Sequence, residues 1–395
     1  NVNDSWGRGF YSYNDQGTSN LTITACQFKN SFNKTNGGSN FVFEGYGTSN
    51  NTLVLKGNDF SNSKEYGLTL NFGGNSTNNI QVGGNTIATG NIINAAVSSP
   101  GSNGLSLQSN GLAVVNYNII NNTIKSSFNG SFTCNVGSQE NATMNGRINS
   151  NTIDGGGIGS VSNGISVAAY GNAKHVTEIL NNTITNANNY GIVSEANDNN
   201  ISTANARMDA TIKNNNISLV ANSYAHIGVI SVGTSTTSLI SAANIGNNTT
   251  NSPVTNLVAT FDVLAQGLGN KVILQGTTPL VNGTGDRSTA LTTFWNANNS
   301  ANPGTSLDEQ GGGTIQAGTV LVPNNPSASK IAAPKNVEEQ TTPIAEIQNI
   351  TLAKTNQSAK NSSANATAET ILVGPFTLPA GKGTVITFSA TINAA

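Results

Sequence analysis

The chain has 395 residues, of which 36% are hydrophobic and only 9% charged, with a formal net charge of −2. An ordinary soluble domain carries about 25% charged residues; here 65 Asn and 43 Gly dominate instead. No basic run or Arg cluster occurs, which excludes the electrostatic footprint of a nucleic-acid binder, and no apolar stretch approaches the ~18 residues that span a bilayer. Disordered chains are poor in β-branched residues, whereas Val, Ile, Leu and Phe recur here in short, regularly spaced clusters. Low charge and abundant short polar side chains suit an extracellular or cell-surface protein. A start at Asn1 rather than Met is expected of a processed product or a fragment.

In chain order, the first recurring pattern is an apolar residue, two or three polar ones, then Asn, any residue and an apolar residue. Thr22 to Phe28 aligns with it, with Cys26 where later copies have Asn. The copies run Leu55-Lys56-Gly57-Asn58-Asp59-Phe60, Val82-Gly83-Gly84-Asn85-Thr86-Ile87, Ile120-Asn121-Asn122-Thr123-Ile124, Ile148-Asn149-Ser150-Asn151-Thr152-Ile153, Leu180-Asn181-Asn182-Thr183-Ile184 and Ile212-Lys213-Asn214-Asn215-Asn216-Ile217. A second pattern alternates with it: Gly67-Leu68-Thr69-Leu70, Gly104-Leu105-Ser106-Leu107, Gly164-Ile165-Ser166-Val167, Gly191-Ile192-Val193 and Gly228-Val229-Ile230.

Each pattern has period-two apolar spacing and is too short for a helix, so each predicts a strand of a few residues. A unit of two or three short strands cannot bury its apolar face alone; stacking unit on unit buries a continuous core. The expected fold is all-β: a right-handed parallel β-helix of about eight coils, its hand set by β-crossover chirality. Coils stacked at ~4.8 Å place equivalent Asn side chains within hydrogen-bonding reach, predicting an internal ladder through Asn58, Asn85, Asn122, Asn151, Asn182 and Asn215. Asn also tolerates the left-handed backbone of a sharp corner. The register pairs Arg147 with Glu178 and Lys125 with Asp154. It also aligns Cys134 with Leu70 and Val167, so both cysteines are expected as buried, unreactive thiols about four coils apart, beyond disulfide reach.

Ser162-Asn163-Gly164-Ile165-Ser166-Val167 and Leu180-Asn181-Asn182-Thr183-Ile184 carry a resemblance to the parallel β-helix repeats of pectate-lyase-like proteins, of the bacterial or archaeal surface and adhesin type. The resemblance covers about 60% of the chain. It implies the fold and says almost nothing of function, because that superfamily includes lyases, hydrolases, tailspikes and inert adhesins.

After about Asn251 the repeat fades. Residues 1–281 are expected to form the β-helix with irregular last coils, and 282–340 a loop-rich connector. Residues 341–395, with strands at Ile347–Ala353, Thr370–Val373 and Thr384–Ile392, resemble a small Ig-like strand module. That module has too few strands to close a sandwich and is open to completion by a neighbouring subunit.

Glycoside hydrolysis needs two carboxylates within about 5–10 Å, which in a stack means acids recurring at one position of neighbouring coils. Asp154, Glu178, Glu195, Asp198 and Asp209 fall at different positions, so no catalytic, cofactor or metal residue is assigned. His175 and His226 read as surface or loop residues, and Gly155-Gly156-Gly157 as a corner. Nineteen Asn-x-Ser/Thr sequons occur; Asn20, Asn129, Asn141, Asn282 and Asn349 represent the candidate glycosylation positions. The expected function is a non-enzymatic extracellular structural protein: a filament, sheath, surface-layer or adhesin subunit whose partners are copies of itself, without a cofactor. The alternative is a polysaccharide-binding or polysaccharide-degrading protein, with Tyr170, Tyr190 and Tyr224 as aromatic contacts to glycan.

Overall fold

The structure, a computed structural model, describes residues 1–324 except 6, 32–37, 95–102, 128–131, 158–161, 252–254, 279, 281–286 and 301–303. It is a right-handed parallel β-helix. Three parallel sheets run along its axis. The first has ten strands, from Phe10–Asn14 to Thr305–Gln310; the second has ten, from Thr18–Thr24 to Thr314–Ala317; the third has six, from Ile92–Asn94 to Thr249–Thr250. The third to eighth coils pass from first to second to third sheet, then through a loop of variable length into the next coil. At ~4.8 Å per coil, ten stacked strands span about 43 Å.

Period-two alternation decides which side chains enter. In the first sheet Leu68, Leu105, Cys134, Ile165, Ile192, Ile227 and Phe261 stack in one inward column. Cys134 therefore aligns with Leu68 and Ile165, two residues away from the expected register but still inward. The third sheet stacks Ile93, Ile124, Ile153, Ile184 and Ile217, all fully buried. Like on like in every coil gives one uninterrupted apolar core, and no unit could form it alone.

Two features depart from the expected domain limits. Within the expected limit, strands Ala259–Gln266 and Lys271–Gln275 form a ninth coil in regular register, and the stack continues beyond 281 with Thr305–Gln310 and Thr314–Ala317 as a tenth. Nor is 282–340 purely loop. Helix α1, Arg287–Asn298, buries Leu291, Phe294, Trp295 and Asn298, which at i, i+3, i+4 and i+7 share one face. Trp295 stacks on Phe261 at 5.0 Å between centroids, so α1, inserted between the second-sheet strand Lys271–Gln275 and the corner residue Asn299, packs against the core of the ninth coil.

Beyond Ala317 the chain turns back over the outside of the second sheet. The Val320 N–H donates to Gln275 Oε1 (2.6 Å) and the Leu321 N–H to Asp209 Oδ1 (3.0 Å). Arg207 holds the same carboxylate through Nε (2.6 Å) and Nη2 (2.9 Å). The expected strands from Ile347 onward lie outside the described residues.

Candidate functional site

The ladder at the corner between second and third sheets is the most ordered polar feature. Asn58, Asn91, Asn122, Asn151, Asn182, Asn215 and Asn248 each donate Nδ2–H to Oδ1 of the next rung at 2.9–3.0 Å, ending on Asn299. Each backbone N–H bonds that same Oδ1, and each second Nδ2 hydrogen goes to a carbonyl on the coil before, as from Asn151 to Ile119 O (2.9 Å). Buried amides are thereby fully satisfied. Cys26 sits at the head in the expected place, its N–H donating to Asn58 Oδ1 (2.9 Å).

One expected rung is wrong. Asn85 is exposed, and Asn91 takes its place. Two copies of Asn-x-Ile compete in this coil. The chain selects Asn91-Ile92-Ile93, burying Ile93 and leaving Ile87 69% exposed on a short 3₁₀ turn, Ile87–Thr89. The observed sequence separations are then 33, 31, 29, 31, 33 and 33 residues. The rungs themselves are not left-handed; the residue before most of them is, at φ 61° for Gly57, 56° for Asn121, 56° for Ser150, 55° for Asn181, 57° for Asn214 and 55° for Asn247, whereas Gly90 before Asn91 is extended at φ −74°. Asn248 carries a legible signal, Asn-Thr-Thr after Ile245, whereas Asn299 follows α1 and carries none.

Both charge pairs form. Arg147 Nε donates to Glu178 Oε2 at 2.7 Å, and Lys125 Nζ lies 2.9 Å from Asp154 Oδ2. Burial pushes the Asp154 carboxyl up, but Lys125, Asn186 and the Gly156 N–H together bring it below its ordinary value.

The histidines are not surface residues. His175 and His226 are both fully buried. His175 occupies an inward second-sheet position aligned with Met144 and Met208. Its Nδ1 can only donate to the Ala168 carbonyl (3.1 Å), so Nε2 accepts from Tyr117 Oη (2.8 Å), and Thr177 Oγ1 donates to Tyr117 (2.6 Å). Desolvation lowers the His175 pKa to about 4; His226, beside Asn251, is also lowered by burial. Both are core groups out of reach of a ligand; the ring nitrogens of His175 are both hydrogen-bonded, whereas Nδ1 of His226 is buried without a partner among the described residues. The cysteines differ from each other: both are free, but Cys134 is buried with its pKa pushed up to about 12, while Cys26 is half-exposed.

On the outer face of the first sheet, Tyr190 and Tyr224 meet at 5.1 Å between centroids, and Tyr190 Oη donates to Asp262 Oδ2 (2.9 Å). Burial raises the Asp262 and Glu195 carboxyls above their ordinary values. Tyr170 ends a different strand, Asn163–Tyr170. Nearer the start of the stack, a groove of about 330 Å³ crosses the same face and includes Arg8, Glu44, Glu65, Tyr66, Asn71 and Gln108. Glu44 Oε2 accepts from Tyr11 Oη (2.8 Å), and Oε1 from Asn71 Nδ2 (3.3 Å); Glu65 Oε2 accepts from Ser39 Oγ (3.3 Å). The sequence reading passed over these two acids. Their signal was the alternation in Phe41-Val42-Phe43-Glu44, which aligns Glu44 with Asn71 facing outward.

Asn20 and Asn141 are exposed; Asn129, Asn282 and Asn349 lie outside the described residues. Among the described residues no group of three or more His, Cys, Asp or Glu side chains could hold a metal ion, and no helix is long and apolar enough to cross a membrane. No family model matches the chain, and no curated protein or solved structure is significantly similar to it.

Proposed function

We propose that the chain is an extracellular structural protein, a stiff rod that joins to copies of itself in a filament, sheath or surface layer. The observation that carries the reading is the ladder, which runs beside a continuous apolar core from the first coil to Asn299 without a missing rung. Among the described residues, the terminal strands of both long sheets each have a single neighbour. In the first coil Phe10, Leu21 and Ile23 are only partly buried. Sheet edges of this kind are normally paired or covered, and a second copy supplies both the strand and the apolar cover. The exposed sequons Asn20 and Asn141 are where we place glycosylation.

Light scattering across a dilution series tests the joining: mass should rise with concentration, and a monomer at every concentration contradicts it.

A further inference from the structure

The groove over the first coils has a composition that the scaffold reading does not require. Its residues come from successive strands of the first sheet, Glu44 from Phe41–Gly45, Tyr66, Thr69 and Asn71 from Tyr66–Phe72, and Ser106 and Gln108 from Asn103–Ser109. They form a grid with rows ~4.8 Å apart, set by the interstrand distance. The sheet's backbone groups are engaged in its own ladder, so a ligand on this face is recognised by side chains alone. Amide, hydroxyl and carboxylate groups supply both donors and acceptors, and a volume of about 330 Å³ lies at the lower end of the range for small-molecule sites.

The walls add two constraints. Tyr11 and Tyr66 stand beside the groove, and ring faces attract C–H and cationic groups through their negative quadrupole. The Arg8 guanidinium already lies over the Tyr11 ring, 4.6 Å from its centroid. Among the described residues neither Glu44 nor Glu65 is in an ion pair. Two carboxylates against one guanidinium leave the groove acidic, which repels anions and favours a cation. A bare metal ion is poorly served, since these carboxylates do not belong to any cluster of three ligating side chains.

We propose that this groove is a saccharide-binding site for glycans without carboxylate or sulfate groups, with preference for those bearing a free amine. Hydroxyls meet Asn71, Gln108 and Thr69, an apolar sugar face meets Tyr66, and the amine meets Glu44 and Glu65. The inference goes beyond the scaffold reading and does not depend on it.

Calorimetric titration of the full chain tests it with three oligosaccharides of equal length and one peptide: a glucosamine oligomer, its N-acetylated counterpart, a galacturonate oligomer and oligolysine. The glucosamine oligomer should bind at least about tenfold tighter than the galacturonate, with the N-acetylated form between them. The Glu44→Gln, Glu65→Gln double variant should bring the two glucosamine forms to within about twofold, and Tyr66→Ala should weaken both. Because these side chains face outward, unchanged thermal unfolding will show that the variants are folded. Equal binding of galacturonate, equal binding of oligolysine, no binding of any sugar, or an amine preference that survives the double variant would each overturn the proposal.

Discussion

Asn151 shows how much one side chain does here. It accepts from the Asn122 N–H (2.9 Å) and Asn122 Nδ2 (3.0 Å), and donates to Ile119 O (2.9 Å) and Asn182 Oδ1 (3.0 Å). Asn151→Ala strands several buried partners, and a buried group without a partner costs about 1–3 kcal/mol. Urea unfolding should therefore show a loss of about 3 kcal/mol or more, while Asn85→Ala, on an exposed loop, should stay within about 0.5 kcal/mol. Equal losses would mean that the ladder runs through Asn85 after all. His175 gives a pH dependence. Its pKa falls from 6.5 to about 4 on folding, so the folded state binds fewer protons between those values. Its contribution is fully present above pH 6.5 and is lost as pH falls towards 4, a total of about 3 kcal/mol. His175→Gln should flatten the stability profile over that window; an unchanged slope would refute the assignment. Thiol labelling of the native protein should modify Cys26 quickly and Cys134 only on unfolding.

Among the elements, the second-sheet strands show how polar residues can belong to the core. Tyr117 aligns with Gly146 of the next coil and Thr177 of the one after. A Cβ on Gly146 would lie 2.4 Å from the Tyr117 ring. Gly146→Ala should thus destabilise the protein by about 1–3 kcal/mol through overpacking, read as a lower thermal midpoint; a neutral result would place the tyrosine ring elsewhere. Strand alternation was readable in the sequence because Ile, Val and Leu mark it. Where His175 or Thr177 holds an inward place, the pattern is masked by polarity, and those residues pass for surface. The same limit hid Glu44 and Glu65: each is a single acid, and only the pairing of coils brings them to one groove.

At the scale of the whole molecule, repetition made most of the fold legible. Five of the six expected rungs stand as read, because Asn-x-Ile follows a fixed corner geometry. Asn85 failed because Asn91-Ile92-Ile93 repeats the same local pattern a few residues on, and only burial of Ile93 beside Ile124 decides between them. The tenth coil was illegible for a different reason. The insertion that includes α1 stretches the separation between rungs Asn248 and Asn299 to 51 residues, so periodicity no longer signals a coil. In the proposed assembly, copies of the β-helix join at the terminal strands of the two long sheets, each of which has one neighbour among the described residues. Electron microscopy of the native assembly tests that account most directly. It predicts thin, straight filaments or ordered sheets with a subunit rise of about 43 Å or somewhat more, the length of ten coils. Single dispersed particles at every concentration, with no end-to-end contacts, would contradict it.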